Sequence, residues 1–294
     1  MSNKQFFINR YQKMGWNFKE VKLRQSIRIN TMNEKKEIVI ARLESLGIDL
    51  EKIPFLKNGY WIKKSNFSVG ATTEYLLGLY SIQEAASQIP VTLFSELKNK
   101  IVLDSCASPG GKTVQLANIM NNSSTVIALE LKKRKMFALT NQLERCRVRN
   151  SAVYNMDARN ASKLNMNFDC VLLDVPCSGN PITDRQWFNK RTSEDIQRNS
   201  RRQRQILTEA VNVTKNNGEI VYSTCSLEPE ENEFNIDWAI KNLNVTVENI
   251  NCYGEKGLTN IFGKELNPSI KKCRRIWPDV TQGFFLCKLK KVIQ

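Results

Sequence analysis

The 294-residue sequence predicts an α/β fold, an open sheet flanked by helices with a small α+β module ahead of it. From about residue 100 onward, short β-branched runs alternate with longer stretches of helical periodicity, the pattern of strands joined by crossover helices. Residues 1–70 break that pattern. The length suits one large domain plus a smaller one, and 41% hydrophobic with 9% aromatic residues is enough to fill their cores.

Ile101-Val102-Leu103 reads as a first, buried strand, and a Gly-containing turn leads from it into a helix over residues 113–120. Residues 125–129 form a second strand, after which Met136, Leu139 and Leu143 recur at helical spacing across residues 132–146. Ala152-Val153-Tyr154 is a third strand and residues 168–173 a fourth. Thr192-Ser193-Glu194-Asp195 is a capped helix start, and Ile206, Leu207, Ala210 and Val211 continue its buried side. Residues 218–223 give a fifth strand, with a helix after Pro229, where proline suits a first turn. Residues 283–289 read as a closing edge strand. Ahead of these, an amphipathic helix over residues 37–46 and a strand at Tyr60-Trp61-Ile62 make the small module. The two domains are expected at residues 1–70 and 71–294, joined through residues 66–94.

The net charge is +15, spread as +7, +5 and +3 over residues 1–100, 101–200 and 201–294. No detachable basic tail accounts for it, so a folded surface attracting a polyanion is the first functional expectation. There are eight Cys and no His. The two nearest cysteines, Cys170 and Cys177, are seven apart, so the C-x-x-C and Cys/His zinc spacings fail and no metal is expected. No apolar run approaches membrane-spanning length and no leader pattern opens the chain, which points to a cytoplasmic protein with reduced thiols, expected to work as a monomer. Without His, acid–base chemistry falls to carboxylates, Lys, Tyr, thiols or water.

In open α/β sheets, ligands bind beyond the carboxyl ends of the strands. The first strand is followed by Asp104-Ser105-Cys106-Ala107-Ser108-Pro109-Gly110-Gly111-Lys112-Thr113. Gly111-Lys112-Thr113 fits the end of a P-loop, but the Gly required five places earlier is Cys106. A nucleoside-binding turn fits better, two glycines letting backbone pass close to a ligand and a helix N-terminus meeting its carboxylate. Glu130 after the second strand is placed for ribose hydroxyls, and Asp157 after the third for an adenine amine. The fourth strand leads to Asp174-Val175-Pro176-Cys177-Ser178-Gly179, and the fifth to Thr224-Cys225-Ser226 and the acidic run Glu228-Pro229-Glu230-Glu231. Cys146, Cys170 and Cys287 read as small buried hydrophobes, whereas Cys177 and Cys225 follow their strands in turn-forming sequence. Only a few per cent of an ordinary thiol with a pKa of about 8.5 is ionised at neutral pH, so a nucleophile here needs a helix N-terminus, the basic field or a cationic cofactor to activate it.

Asp104 to Thr113, Glu130 with Arg134 four on, Asp157, the segment from Asp174 to Gly179, and Thr224-Cys225-Ser226 resemble the ordered motifs of the RsmB/Nop/Sun family of RNA cytosine-5 methyltransferases. The flanks agree: residues 26–31 resemble the family's N-terminal module, residues 83–87 its approach to the catalytic domain, and residues 202–207, Trp277-Pro278 and residues 282–285 its later parts. Ser108, Arg147 and the absence of a His after Pro278 are small departures that bear on local turn geometry.

The resemblance implies a Rossmann-like class I methyltransferase sheet, S-adenosylmethionine as cofactor and C5 of cytosine in RNA as acceptor. It assigns Cys225 as the nucleophile adding to C6, Asp174 to the cytosine edge, and Cys177 to resolving the adduct. The reverse thiol assignment stays open, because a Pro-Cys motif supplies the nucleophile in DNA cytosine-5 methyltransferases. By position, Cys106, Ala107, Ser108, Pro109, Gly110, Gly111 and Lys112 surround the methionine end, with Glu130, Arg134, Asp157 and Asp174 completing the cofactor contacts. The N-terminal module is expected to bind RNA, and the basic runs at residues 132–135, 198–204 and 271–275 to track phosphates. Transfer RNA is the expected substrate; ribosomal RNA, or a non-catalytic RNA-binding assembly factor on the same fold, are the alternatives.

Overall fold

The computed structural model describes residues 2–293. The first helix, α1 (Asn3–Lys13), follows an N-cap at Ser2, whose side chain accepts from the Gln5 backbone N–H. A four-stranded antiparallel sheet comes next, built from β1 (Ser26–Ile29), β2 (Asp49–Lys52), β3 (Gly59–Lys64) and β4 (Tyr80–Ile82) in the order β2-β3-β1-β4. Helix α2 (Lys36–Ser45) and the short α3 (Thr73–Leu76) belong to the same part of the chain, and Ile27, Ile29, Val39, Leu43 and Tyr80 share one buried cluster.

Two features depart from a self-contained module ending at residue 70. The sheet draws its fourth strand from residues 80–82. Helix α1 packs into the core of the larger domain instead: Phe7 is fully buried, with its ring 4.8 Å from that of Trp187. The signal was present, since Phe7, Tyr11 and Met14 stand at i, i+4 and i+7.

The larger sheet is ordered β11-β14-β15-β9-β8-β5-β6-β7. Its parallel half comprises β5 (Ile101–Asp104), β6 (Thr125–Leu129), β7 (Ser151–Tyr154), β8 (Phe168–Asp174) and β9 (Thr214–Thr224). Helices α4 (Gly111–Ile119), α5 (Lys133–Arg145), α6 (Trp187–Lys190), α7 (Ser193–Val213) and α8 (Glu233–Asn242) alternate with these strands or follow them. Thr192 caps α7 in a capping box with Asp195. The antiparallel remainder is β10 (Val245–Glu248), β11 (Glu255–Lys256), β14 (Arg274–Ile276) and β15 (Phe284–Lys291), while β12 (Asn260–Ile261) and β13 (Lys264–Glu265) pair apart. The expectation that residues 283–289 close the sheet as an edge is corrected: β15 lies inside it, with β9 on one side and β14 and β10 on the other. Residues 284–289 are all buried without alternation, as suits a strand covered on both faces. Among the described residues, no helix is long and apolar enough to cross a membrane.

Candidate active site

Strand register brings the two cysteine motifs together. β8 and β9 run parallel with Asp174 opposite Ser223, and each chain then turns out of the sheet at the same rim. Three residues past Asp174 and two past Ser223, Cys177 Sγ and Cys225 Sγ stand 3.3 Å apart. Asn180 Nδ2 donates to the Cys225 carbonyl at 2.8 Å, fixing one loop against the other. The thiol pKa of Cys177 lies well above its ordinary value, through the hydrogen bond to Cys225 and then through burial.

Asp174 sits on the same rim with both oxygens engaged: Oδ1 accepts from Ser223 Oγ at 2.8 Å and Oδ2 from Lys112 Nζ at 2.7 Å. Lys112 Nζ also lies 2.7 Å from Ser87 Oγ. Its side chain thus belongs to the site and not to a solvated helix face. Ser223 and Ser87 were not singled out in the sequence, where an isolated serine carries no signal of its own.

The strand ends open on a cleft of about 410 Å³ whose walls include Cys106, Ser108, Glu130, Asp157, Asp174 and both thiols. Ala107, Pro109, Gly110 and Gly111 shape the turn behind it. Gly110 takes φ +105° as the N-cap of α4, a conformation that favours glycine. It offers no capping side chain to the first turn of α4. Below the turn, Asp104 is buried and accepts from Thr113 Oγ1 at 2.7 Å; burial pushes its pKa up to about 6.

Glu130 is nearly buried, and its Oε1 accepts from the Lys132 backbone N–H at 2.7 Å. Asp157 caps the 3₁₀ turn Ala158–Leu164 and forks with Arg159, whose Nη2 is 2.6 Å from Oδ2. That ion pair holds the Asp157 carboxyl below the usual range. Arg134 is exposed on the first turn of α5; its neighbours Lys132 and Lys135 reach the cleft, and Arg134 is not among the wall residues.

Two of the three basic runs are reduced by the structure. Arg275 is 1% exposed and ion-paired with Glu233, and Arg204 is partly buried, donating from Nε to Asn235 Oδ1 at 2.8 Å over the Trp238 ring. Neither is placed for phosphate. Residues 132–135 are all exposed, and Arg202 lines the cleft.

A family model described as 16S rRNA methyltransferase RsmB/F matches residues 91–290. The chain belongs to the RsmB/Nop/Sun family. A second model, the N-terminal domain of 16S rRNA methyltransferase RsmF, matches residues 4–85, which include both α1 and β4. The 28S rRNA (cytosine-C(5))-methyltransferase of Mus musculus is 32% identical over 276 residues, covering 90% of this chain and 35% of that protein. Ribosomal RNA small subunit methyltransferase F of Vibrio parahaemolyticus is 34% identical over 286 residues, covering 92% and 57%. The chain thus spans only about a third to three-fifths of the length of these curated relatives. A solved methyltransferase homolog protein from Pyrococcus horikoshii superposes with a TM-score of 0.87 at 35% identity, covering 98% of this chain and 95% of that one.

The cleft fits the S-adenosylmethionine that the family implies. Glu130 at the end of β6, Asp157 after β7 and Asp174 at the end of β8 line the cleft, so carboxylate acceptors face it from three strand ends.

Proposed function

We propose that this protein is an S-adenosylmethionine-dependent RNA (cytosine-5) methyltransferase acting through a covalent adduct on Cys225. The observation that carries the reading is the 3.3 Å contact between two thiols at the ends of adjacent parallel strands, with Asp174 on the same rim. The cofactor, when bound, supplies an electrophilic methyl group on a sulfonium. The turn from Cys106 to Lys112 holds its methionine end, Glu130 its ribose, and the Asp157–Ala158 corner its adenine.

C5 of cytosine is a poor nucleophile until a thiolate adds to C6. Cys225 makes that bond, leaving C5 enamine-like. Asp174, its oxygens oriented by Ser223 and Lys112, receives the exocyclic amine, while Lys112 Nζ supplies the N–H donor that a carboxylate lacks. Cys177 is assigned to resolving the adduct: the C5 proton passes by way of Cys177 to water, the C5–C6 double bond re-forms, and Cys225 leaves as the thiolate. The target base leaves its stack to present its ring face to the thiol.

Ribosomal RNA is the acceptor that the names of the relatives above support; transfer RNA, the expectation from sequence, gains nothing from them. The small N-terminal module and the exposed residues 132–135 are the surfaces proposed to grip the RNA backbone. Incubating the protein with S-adenosylmethionine and either ribosomal or transfer RNA, followed by bisulfite sequencing, tests the reading. A cytosine in the ribosomal pool becomes resistant to conversion; resistance in neither pool refutes the activity.

Asp174→Asn keeps the shape of the site but removes the charge facing Lys112. Initial rates of methyl incorporation should fall about 10²–10³-fold, the loss typical of a deleted electrostatic partner at a reacting group. A rate within about threefold of the parent, far short of that range, would remove Asp174 from the mechanism.

A further inference from the structure

Three carboxylates soon after Cys225 are buried, not solvated: Glu228, Glu231 and Glu233 are each 0% exposed. Glu228 pairs with Arg10, and Glu233 with Arg275. Glu231 forms no ion pair among the described residues. Instead its Oε1 accepts from the Ser178 backbone N–H at 3.0 Å and from Gln203 Nε2 at 3.2 Å, and its Oε2 from Ser178 Oγ at 2.5 Å.

A carboxylate taken out of water without a cation is costly, and such a group persists where hydrogen bonds to its oxygens are made and useful. The donors to Glu231 are grouped around the thiols. Ser178 directly follows Cys177, and Gln203 Nε2 also donates to the carbonyl of Pro176, the residue before Cys177, at 2.9 Å. Ser178 Oγ lies 3.0 Å from Ser226 Oγ, which directly follows Cys225. Glu231 is thus tied directly to the Cys177 loop and, through the Ser178 and Ser226 hydroxyls, to the Cys225 loop, while Asn180 makes a separate link between the two.

We propose that Glu231 is a positioning residue that ties the two loops together and sets the Sγ–Sγ separation on which release of the RNA adduct depends. The role in release rests on the proposed assignment of Cys225 as nucleophile and Cys177 as resolving thiol; the positioning itself does not.

Diamide converts two thiols to a disulfide while being reduced to its hydrazine, taking up both thiol protons. Its rate of linking Cys177 to Cys225, followed by peptide mass spectrometry on the full chain, reports their mutual placement without RNA. Because a disulfide tolerates little displacement of its Cβ atoms, Glu231→Ala should link about tenfold more slowly than the parent, and Glu231→Gln, which keeps an acceptor for Ser178, within about threefold. Thermal melts confirm that each variant is folded at the assay temperature. If Glu231→Ala is not, Ser178→Ala, which deletes the hydroxyl shared by Glu231 and Ser226, should slow linking about threefold. With RNA, Glu231→Ala should accumulate the Cys225 adduct. Unchanged linking rates in the alanine variants overturn the positioning role. A slowed linking rate with no RNA adduct in any variant, parent and Cys177→Ala included, supports the positioning role and overturns the assigned chemistry.

Discussion

Replacing Cys225 with Ala is expected to abolish methyl transfer and the covalent RNA complex together, a loss on the order of 10³-fold or more, as for other nucleophile deletions. Replacing Cys177 with Ala should do the opposite to the complex: the adduct forms and is not released. The asymmetry follows from the roles proposed for the two thiols, Cys225 as nucleophile and Cys177 as the resolving group. At 3.3 Å the two sulfurs share one hydrogen bond, and both that bond and burial favour the protonated form of Cys177. Denaturing gels of RNA incubated with each variant read the difference directly. A complex that persists without Cys225 and disappears without Cys177 would reverse the two roles, the arrangement that the Pro176-Cys177 motif on its own allows.

The second large effect is on stability. Arg275 is 1% exposed and Glu233 0% exposed; Arg275 Nε donates to Glu233 Oε1 at 2.8 Å, and Nη1 donates to the Leu227 carbonyl at 2.9 Å, two residues past Cys225. Arg275→Met keeps much of the volume but strands a buried carboxylate, which costs roughly 3–5 kcal/mol when one partner of such a pair is removed. In a chain of this size the melting temperature should fall by about 10 °C. Restoring neutrality with Glu233→Gln in the same chain should recover part of the loss, because the carboxylate charge is then gone. A single variant melting within about 2 °C of the parent, far less than 3–5 kcal/mol implies, would mean that the pair is dispensable.

Much of the site was legible because its chemistry falls at strand ends, and strands of four to seven apolar residues are hard to misplace. Glu130 and Asp174 follow buried runs directly, so their position at the sheet's rim needs only the strand assignment. The 3.3 Å contact could not be read in the same way, because it depends on β8 and β9 being neighbours in register, a non-local fact. Glu231 was missed for a different reason. Nothing in the four-residue run from Glu228 to Glu231 signals burial, and only the donors that converge on it, from Arg10 in α1 and Ser178 after β8, explain it. The placement of α1 was lost because its basic residues mask a narrow apolar stripe, and the interior position of β15 because strand patterning alone does not show how many earlier strands pair with it.

The central claim, that Cys225 bonds to C6 of a cytosine in RNA, is tested most directly by trapping. RNA carrying 5-fluorocytidine at the methylated position cannot lose a proton from C5, so the adduct cannot be resolved. After incubation with S-adenosylmethionine, protease and nuclease digestion and mass spectrometry should find one modified nucleotide on the peptide that contains Cys225. The same mass on the Cys177 peptide, or methyl transfer to unmodified RNA with no trapped peptide from the fluorinated one, would contradict it.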